Sequence, residues 1–142
     1  NIQYQVCFNS GMPLQPLNKA ASGGELSRVA LALYVILSIN NPPEIIVFDE
    51  IDVGIGGGIA EVVGNLLRDL GMSKQVICIT HQPQTASCGN HHLLVSKHLA
   101  NNVTTSQITY LDSHSRINEI ARMLGGLQIT ETTIQHAREM LG

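Results

Sequence analysis

The sequence is short of the features that mark several common classes of protein. Its 142 residues include no tryptophan, three tyrosines and two phenylalanines, so the core has to be built from aliphatic side chains. No run of about 18 consecutive apolar residues occurs, which argues against a transmembrane helix. Only 13% of the residues are charged, whereas 44% are hydrophobic. This balance indicates one domain whose surface is partly covered by another lobe or subunit.

An excess of positive charge is also absent. The formal net charge is −3, so the chain is not a polybasic nucleic-acid binder. We interpret the scattered cations Lys97, His98 and Arg116 as a solvated face rather than a DNA site. No zinc-type spacing joins the histidines, so no structural metal site is predicted. The cysteines form no Cys-x-x-Cys pair and are expected to be buried, reduced thiols of a cytosolic protein: Cys7, Cys78 and Cys88.

A phosphate-binding loop of the form Gly-x-x-x-x-Gly-Lys-[Ser/Thr] is missing from the whole chain. Nothing in the sequence is therefore predicted to cradle the β- and γ-phosphates of a nucleotide. The chain begins at Asn1, without an initiator methionine or a signal-peptide pattern, and apolar and polar residues alternate from Ile2 to Phe8. We expect a strand there and, because it starts abruptly, a fragment of a longer protein.

Hydrophobic periodicity predicts the next elements. Residues 16–21 are predicted to be a loop, and a helix is expected from about residue 24 to 39, ended by Asn40-Asn41-Pro42-Pro43. The short apolar run 45–48 is typical of a central parallel strand that is covered on both faces. The apolar stripe of the first helix consists of Leu26, Val29, Ala30, Leu33, Ile36 and Leu37.

The second half of the chain continues the α/β pattern. A glycine-rich loop and a helix ending at Gly71 lead to a second buried strand at 75–80, so a right-handed parallel crossover is expected. The segments 91–97 and 103–110 predict a β-hairpin across Asn101-Asn102. Two further helices complete a single α/β lobe.

Two carboxylates, Asp49 and Glu50, follow the first buried strand. Ligands of open α/β sheets bind at the carboxyl ends of the strands, where a carboxylate can hold Mg²⁺ through water and a second can deprotonate an attacking water. We assign Asp49 to magnesium and Glu50 to the water. An isolated Asp-Glu pair would more often be a solvated acidic turn, and the apolar strand before it together with the two motifs below favours the catalytic interpretation.

The segment Ser22-Gly23-Gly24-Glu25 opens the first long helix. Two glycines allow close approach of a phosphate to the backbone, and a helix N-terminus offers unpaired N–H groups to an anion. The same residues also fit a capping box with Ser22 as N-cap and Glu25 at the third helical position. Both interpretations can hold together.

The second buried strand ends in His81. A histidine at this place can donate a hydrogen bond to a γ-phosphate, although a lone histidine is more often a satisfied surface or core residue. Its position one strand after Asp49 and Glu50 favours the functional role, with Gln84 as a possible support.

These three motifs resemble the signature, Walker B and switch-histidine elements of ABC-type ATPases. The wider segments 16–28, 48–57, 80–84 and 121–126 resemble the RecN family of SMC-like DNA-repair ATPases. The signature begins with Ala21, where many ABC proteins carry leucine. The continuation Asp52-Val53-Gly54-Ile55-Gly56-Gly57 is the more family-specific part.

The resemblance implies the fold and the role of the chain. Residues 1–142 would be the C-terminal lobe of a P-loop NTPase head of the ABC/SMC type, with mostly parallel core strands flanked by helices and a terminal β-hairpin. The N-terminal head lobe of the same protein would bring the phosphate loop, and a coiled coil would separate the two lobes. Two heads would form a homodimer around two ATP molecules with Mg²⁺.

It also implies roles for the site residues. Asp49 (magnesium), Glu50 and His81 (catalysis) would serve the nucleotide of their own head. Ser22, Gly23, Gly24 and Glu25 would contact the nucleotide of the opposite head, in trans. The complete protein would act on DNA double-strand breaks in the bacterial cytoplasm, on the nucleoid, without a membrane partner. A transporter motor and a head-dimerisation module without turnover remain the alternatives, and the fragment alone is expected to be inactive.

Overall fold

The computed structural model describes residues 3–7, 11, 13–20, 22–37, 44–100, 103–126 and 128–142. Ala21, the predicted helix stop at 40–43 and the hairpin loop at 101–102 lie outside the described residues. The elements, in chain order, are β1 (Gln5–Val6), β2 (Gln15–Pro16), α1 (Leu17–Ala20), α2 (Gly23–Leu37), β3 (Ile45–Asp49), α3 (Gly57–Gly71), β4 (Gln75–Ile79), α4 (Pro83–Ser87), β5 (Leu93–Ala100), β6 (Val103–Tyr110), α5 (Ser113–Gly125) and α6 (Glu131–Leu141).

The start of the chain differs from its prediction in two ways: the first strand is shorter, and a short helix replaces a predicted loop. The expected strand from Ile2 to Phe8 is reduced, among the described residues, to the two residues of β1, which pair antiparallel with β2. The prediction of a loop over 16–21 is wrong, because α1 occupies Leu17–Ala20. The backbone N–H of Leu17 donates to the carbonyl of Tyr4 over 2.9 Å, which ties α1 to the strand pair.

The centre of the fold is the predicted strand–helix–strand unit. β3 and β4 run parallel, with Ile45 beside Gln75 and Asp49 beside Ile79. Tyr34 of α2 packs edge-on against Phe48 of β3, with ring centroids 6.3 Å apart. The main core cluster joins α2, β3, the turn after it and α3: Leu31, Ile46, Phe48, Ile51, Val63, Leu67 and Leu70.

Only one face of the β3–β4 pair is covered by described residues, which differs from the prediction that the central strand is covered on both faces. Ile46 and Phe48 point into the core and are 5% and 4% exposed. Alternate residues point to the other face and leave an apolar surface, which we call the open sheet face: Ile45, Val47, Ile77 and Ile79, 43–58% exposed. The prediction of a strand at this apolar run is confirmed, and both of its faces are apolar, but the described residues cover only one of them.

The apolar stripe predicted for α2 is not the face that meets the core. Leu31 is 2% exposed and Tyr34 packs beside it, whereas Leu33 and Ile36 of the predicted stripe are 49% and 65% exposed. The side chain of Leu37 lies outside the described residues. Because α2 is apolar around most of its circumference, periodicity could not identify which side faces the sheet.

α3 and α4 approach each other closely at one glycine. A methyl group on Gly64 would lie 2.7 Å from the Sγ atom of Cys88 and 3.2 Å from the α-carbon of Thr85. The hydroxyl of Thr85 donates to the carbonyl of Ala60 over 3.2 Å in the buried contact between the helices. α3 therefore forms a platform that holds α4, which directly follows His81.

The terminal part of the chain is the predicted hairpin and helix pair. β5 and β6 pair antiparallel, and α5 packs against α6 around the buried residues Ile120, Ala121 and Ala137. Arg116 of α5 does not belong to a solvated face, because its guanidinium donates to the carbonyls of Ala86, Ser87, Gly89 and Asn90 at the end of α4. No helix among the described residues combines the length and apolarity needed to cross a membrane.

Candidate functional site

Ser22 and Glu25 form the predicted capping box at the start of α2. The backbone N–H of Ser22 donates to Oε2 of Glu25 over 2.7 Å, and the backbone N–H of Glu25 donates to Oγ of Ser22 over 3.3 Å. Hydrogen bonds from the backbone and then the hydroxyl of Ser22 hold the pKa of Glu25 below its usual value. The carboxylate of Glu25 is thus engaged within its own helix start, while Ser22 and Gly23 are exposed at the surface.

The two glycines of this motif have different surroundings. A methyl group on Gly24 would lie 2.9 Å from the carbonyl oxygen of Glu50 and 3.1 Å from that of Val53, so only glycine fits there without displacement. A methyl group on Gly23 would meet Oε2 of Glu50 at 3.8 Å, an ordinary contact. Gly24 is therefore explained by close packing inside the chain, a reason that the sequence did not reveal.

Two side chains of α2 hold the backbone that carries the carboxylates. The hydroxyl of Ser27 donates to the carbonyl of Asp49 over 3.0 Å. The guanidinium of Arg28 donates to the carbonyls of Ile51 and Val53, over 3.0 and 3.1 Å. The signature segment and the end of β3 therefore form one connected unit in the same chain.

Asp49 and Glu50 stand where the sequence predicts, at the carboxyl end of β3, and both are exposed. Glu50 has a φ of 55°, and it is the one non-glycine residue with positive φ in the described part of the chain. This left-handed conformation is unfavourable for a residue with a Cβ atom, so the surrounding contacts have to hold it. Its carbonyl accepts from the N–H of Val53 over 3.2 Å, which closes the turn after β3.

His81 follows β4 and is brought to the same edge of the sheet by the parallel pairing of β3 and β4. Its side chain is 68% exposed, and its Nδ1 atom lies 3.9 Å from Oδ1 of the fully buried Asp52. The other carboxylate oxygen of Asp52, Oδ2, accepts a short hydrogen bond from the hydroxyl of Thr80. The structure thus places a buried carboxylate beneath the histidine.

Asp52 is the residue of this site that the sequence reasoning missed as a functional candidate. It appeared only as part of the family-specific continuation after Glu50. The available signal was a charged residue between the apolar Ile51 and Val53, directly after a buried strand. Both Ile51 and Asp52 are 0% exposed, so this turn belongs to the core rather than to a solvated loop.

The glutamine next to His81 on the chain links the two loops of the site. The side-chain amide of Gln82 donates to the carbonyl of Ile55 over 3.1 Å and approaches that of Asp52 at 3.5 Å. Gln84, which the sequence suggested as a support for His81, instead lies against Gly57 at the start of α3, where a methyl group would meet its Nε2 atom at 3.0 Å.

The cysteines differ in their surroundings. Cys88 is buried and Cys78 is half-buried, but Cys7 is exposed, so the expectation that all three are buried is wrong for Cys7. Burial, with smaller contributions from Asp52 and Asp49, raises the pKa of the Cys78 thiol to about 12. A thiol with this pKa stays protonated and unreactive near neutral pH.

Curated proteins named DNA repair protein RecN are similar to nearly the whole chain. The protein of Vibrio cholerae is 51% identical over 140 residues, which are 99% of this chain and 25% of the relative. That of Haemophilus influenzae is 45% identical over 141 residues, again 99% of this chain and 25% of the relative. For Bacillus subtilis the identity is 39% over 140 residues, 99% of this chain and 24% of the relative.

Solved structures of SMC heads share the fold. The Smc head domain with a coiled coil and joint from Pyrococcus yayanosii has a TM-score of 0.59 and 24% identity, over 78% of this chain and 20% of that one. A head from Pyrococcus furiosus bound to the C-terminal domain of ScpA has a TM-score of 0.54 and 25% identity, over 79% and 27%.

No family model matches the chain. The alignments to the curated relatives include the signature, the end of β3 and the histidine loop, because they cover 99% of the chain. The chain spans about a quarter of the length of these relatives. As that segment, it belongs to the RecN family, with the fold of the C-terminal lobe of an SMC/ABC-type head.

Proposed function

We propose that residues 1–142 are the C-terminal lobe of the ATPase head of a RecN-like protein and supply half of a site that binds and hydrolyses ATP in DNA double-strand-break repair and recombination. The observation that carries this proposal is the parallel register of β3 and β4, with Asp49 beside Ile79. It brings Asp49, Glu50 and His81 to the carboxyl edge of the sheet, where ligands of such sheets bind.

The donor atoms at this edge suit Mg²⁺. Asp49 and Glu50 are consecutive, exposed carboxylates, and Mg²⁺ is usually held by one or two carboxylates while water and phosphate oxygens complete its octahedron. Within the described residues, no group of three or more His, Cys, Asp or Glu side chains could hold a metal ion. An ion shared with a nucleotide accords with this arrangement, and we assign Asp49 to it through water. The ion would neutralise phosphate charge.

Glu50 and His81 are proposed to act on the terminal phosphate group. Glu50 orients and deprotonates the attacking water, and its left-handed backbone conformation is the kind of strain that clusters at active sites. His81 donates a hydrogen bond to a γ-phosphate oxygen from the end of the neighbouring strand. Both side chains are exposed at the edge, as such contacts require.

The start of α2 is proposed to contact the nucleotide of a second head, in trans. Ser22 and Gly23 are exposed at the N-terminus of a 15-residue helix, whose first N–H groups and dipole favour an anion. Gly24 and Glu25 support this surface, because one allows the close packing on Glu50 and the other caps the helix. The second head would be another copy of the same protein.

The open sheet face is proposed to meet the N-terminal lobe of the same head, which would also bring the phosphate loop. A continuous apolar surface on a central sheet pair is costly to leave in water. The chain accounts for 25% of the length of its relatives, so the complete protein has ample chain to cover this face. A coiled coil would join the two lobes, and the solved Smc head domain from Pyrococcus yayanosii also carries a coiled coil and joint.

The complete protein is proposed to act on DNA in the bacterial cytoplasm, on the nucleoid. The relatives that support this are bacterial proteins named for DNA repair, and the three described above are 39–51% identical to the chain. Similarity to RecN over 99% of the chain favours this role over a transporter motor. A head-dimerisation module without turnover remains as an outcome of the test.

The test is Glu50→Gln in the complete protein. Loss of the general base should reduce ATP turnover by about 10²–10⁴-fold. Binding of ATP should persist, so ATP-bound head dimers should accumulate, measured by size-exclusion chromatography with light scattering. Glu139→Gln on α6 is the matched control and should leave turnover unchanged, because this exposed carboxylate accepts from Gln135 of its own helix, away from the edge of the sheet.

Unchanged turnover in Glu50→Gln would remove Glu50 from the role of general base. Dimers that form with ATP in a wild-type protein without turnover would favour the non-hydrolytic module. Absence of both turnover and ATP-dependent dimers in the wild-type complete protein would contradict the proposed function.

A further inference from the structure

Asp52 is a buried carboxylate with one unsatisfied oxygen. Its side chain is 0% exposed, and Oδ2 accepts the hydrogen bond from the Thr80 hydroxyl. Oδ1 is buried and has no hydrogen-bond partner among the residues that the structure describes. A buried acceptor without a donor costs free energy, more so when the group is charged. Such an oxygen needs a donor to be supplied from nearby.

The described ion-pair partner of Asp52 is the ring of His81, which can donate a hydrogen bond. Its Nδ1 atom is 3.9 Å from Oδ1 of Asp52, which is about 1 Å beyond the usual length of a hydrogen bond. The imidazole is 68% exposed, so a change of its side-chain torsions can close that gap without moving the core. The carboxylate, in contrast, is fixed by burial and by Thr80.

The residues around this pair hold both partners in place. Thr80 donates to Asp52 and also accepts from the backbone N–H of Gln82 over 2.9 Å. Gln82 in turn reaches the carbonyl of Ile55 beyond the Asp52 turn. The backbone on both sides of His81 is therefore tied to the segment that carries Asp52, and the ring is the movable part.

We propose that Asp52 is a positioning residue for His81: in the assembled ATP site, Nδ1–H of His81 donates to Oδ1 of Asp52. This contact selects the ring orientation and holds a proton on Nδ1. Nε2–H, on the opposite side of the ring, then donates to the γ-phosphate oxygen, so in the assembled site the ring carries a proton on both nitrogens. A carboxylate that orients a histidine in this way is a common second partner at functional sites. The inference rests on the proposed function of His81, which it deepens.

The first experiment is a double-mutant cycle in the complete protein. Asp52→Asn should lower kcat by about 10–100-fold, the range measured when partners that orient metal-bound histidines are removed. The KM for ATP should change little, because Asp52 does not touch the nucleotide. In a His81→Ala background, Asp52→Asn should cause no further loss. Asp69→Asn on the exposed surface of α3 is the matched control and should leave kcat unchanged.

The second experiment needs no substitution of Asp52. Complete protein with ¹⁵N-labelled histidine is examined by NMR with a non-hydrolysable ATP analogue, and His81 is identified by its absence from the His81→Ala spectrum. With the analogue bound, protons on both Nδ1 and Nε2 are expected. A ring with a proton on Nε2 and none on Nδ1 would overturn the proposal even if Asp52→Asn fails to fold.

The experiments distinguish a failure of the proposed role of His81 from a failure of the positioning role of Asp52. If His81→Ala leaves turnover unchanged, the proposed role of His81 falls, whatever Asp52 does. If His81→Ala reduces turnover but Asp52→Asn does not, or if the losses of the two variants multiply, the positioning role is overturned and the proposed function stands.

Discussion

The carbonyl oxygen of Glu50 lies too close to Gly24 to leave room for a Cβ atom at that position. A methyl group on Gly24 would be 2.9 Å from that oxygen. The start of α2 and the end of β3 are therefore in direct backbone contact. The backbone of Glu50, which is proposed to activate water, therefore packs against α2, the helix whose start is proposed to contact a second nucleotide.

Gly24→Ala should destabilise the chain by about 1–3 kcal/mol, since overpacking forces the backbone of Glu50 or of α2 to shift. Gly23→Ala is the matched control, because among the described residues its nearest contact would be Oε2 of Glu50 at 3.8 Å, an ordinary distance. There a neutral effect or a gain of about 0.4–1 kcal/mol is expected from the stiffer unfolded chain. Urea denaturation measures both. Equal effects of the two substitutions would contradict the close contact.

Ser22→Arg should block ATP-dependent dimerisation of the complete protein while leaving ATP binding to the monomeric head intact. An arginine at the exposed start of α2 would occupy the space that the opposite nucleotide needs. Light scattering with and without ATP measures dimers, and fluorescence titration measures nucleotide affinity. Loss of ATP binding by the monomer would show that the assignment of Ser22 in trans is wrong.

Two controls accompany Ser22→Arg. Ser22→Ala removes the hydroxyl that accepts from Glu25 and costs about 0.5–2 kcal/mol of stability, so it separates loss of the helix cap from added bulk. Ser73→Arg adds the same side chain in the exposed turn after α3 and should leave dimerisation unchanged.

Gly64→Ala should destabilise the contact between α3 and α4, because its methyl group would lie 2.7 Å from Sγ of Cys88. The expected loss is about 1–3 kcal/mol in the free energy of unfolding. Gly58→Ala in the first turn of α3 would meet no described residue within 4 Å and should instead stabilise the helix by up to about 1 kcal/mol. A comparison of the two melting temperatures is sufficient, and a Gly64→Ala variant as stable as Gly58→Ala would refute the packing.

Cys78 should resist alkylation in the folded chain near pH 7.5. Burial raises its thiol pKa to about 12, so the reactive thiolate is scarce until the pH approaches that value. Mass spectrometry after brief iodoacetamide treatment should find Cys78 unmodified in the native chain and modified in urea. Rapid modification of native Cys78 at neutral pH would contradict its described burial.

Much of the fold was readable because its signals are local. The strand–helix–strand unit, the hairpin and the last two helices appear with bounds within a few residues of their patterns. The capping box at Ser22 and Glu25 was also foreseeable, because both partners lie within one helical turn. The positions of Asp49, Glu50 and His81 at the carboxyl edge of the sheet could be predicted from the ends of the two strands alone.

The missed features depend on contacts between distant parts of the chain. The burial of Asp52 results from its position under His81, 29 residues away in sequence, and from the Thr80 hydroxyl. The core-facing side of α2 depends on which of several apolar faces meets β3, and Leu31 rather than Leu33 does. Hydrophobic periodicity predicts neither the burial of Asp52 nor the side of α2 that faces the core.

The hydrogen bonds from Arg28 to the carbonyls of Ile51 and Val53 connect α2 to the turn after β3. Arg28 of α2 binds the backbone after Glu50, and Ser27 of the same helix binds the backbone before it, at Asp49. A ligand that pulls on the start of α2 would therefore displace the carboxylates of the same chain. In the proposed dimer of heads, each head would therefore respond to the nucleotide bound by its partner, and the two proposed hydrolysis events would be coupled.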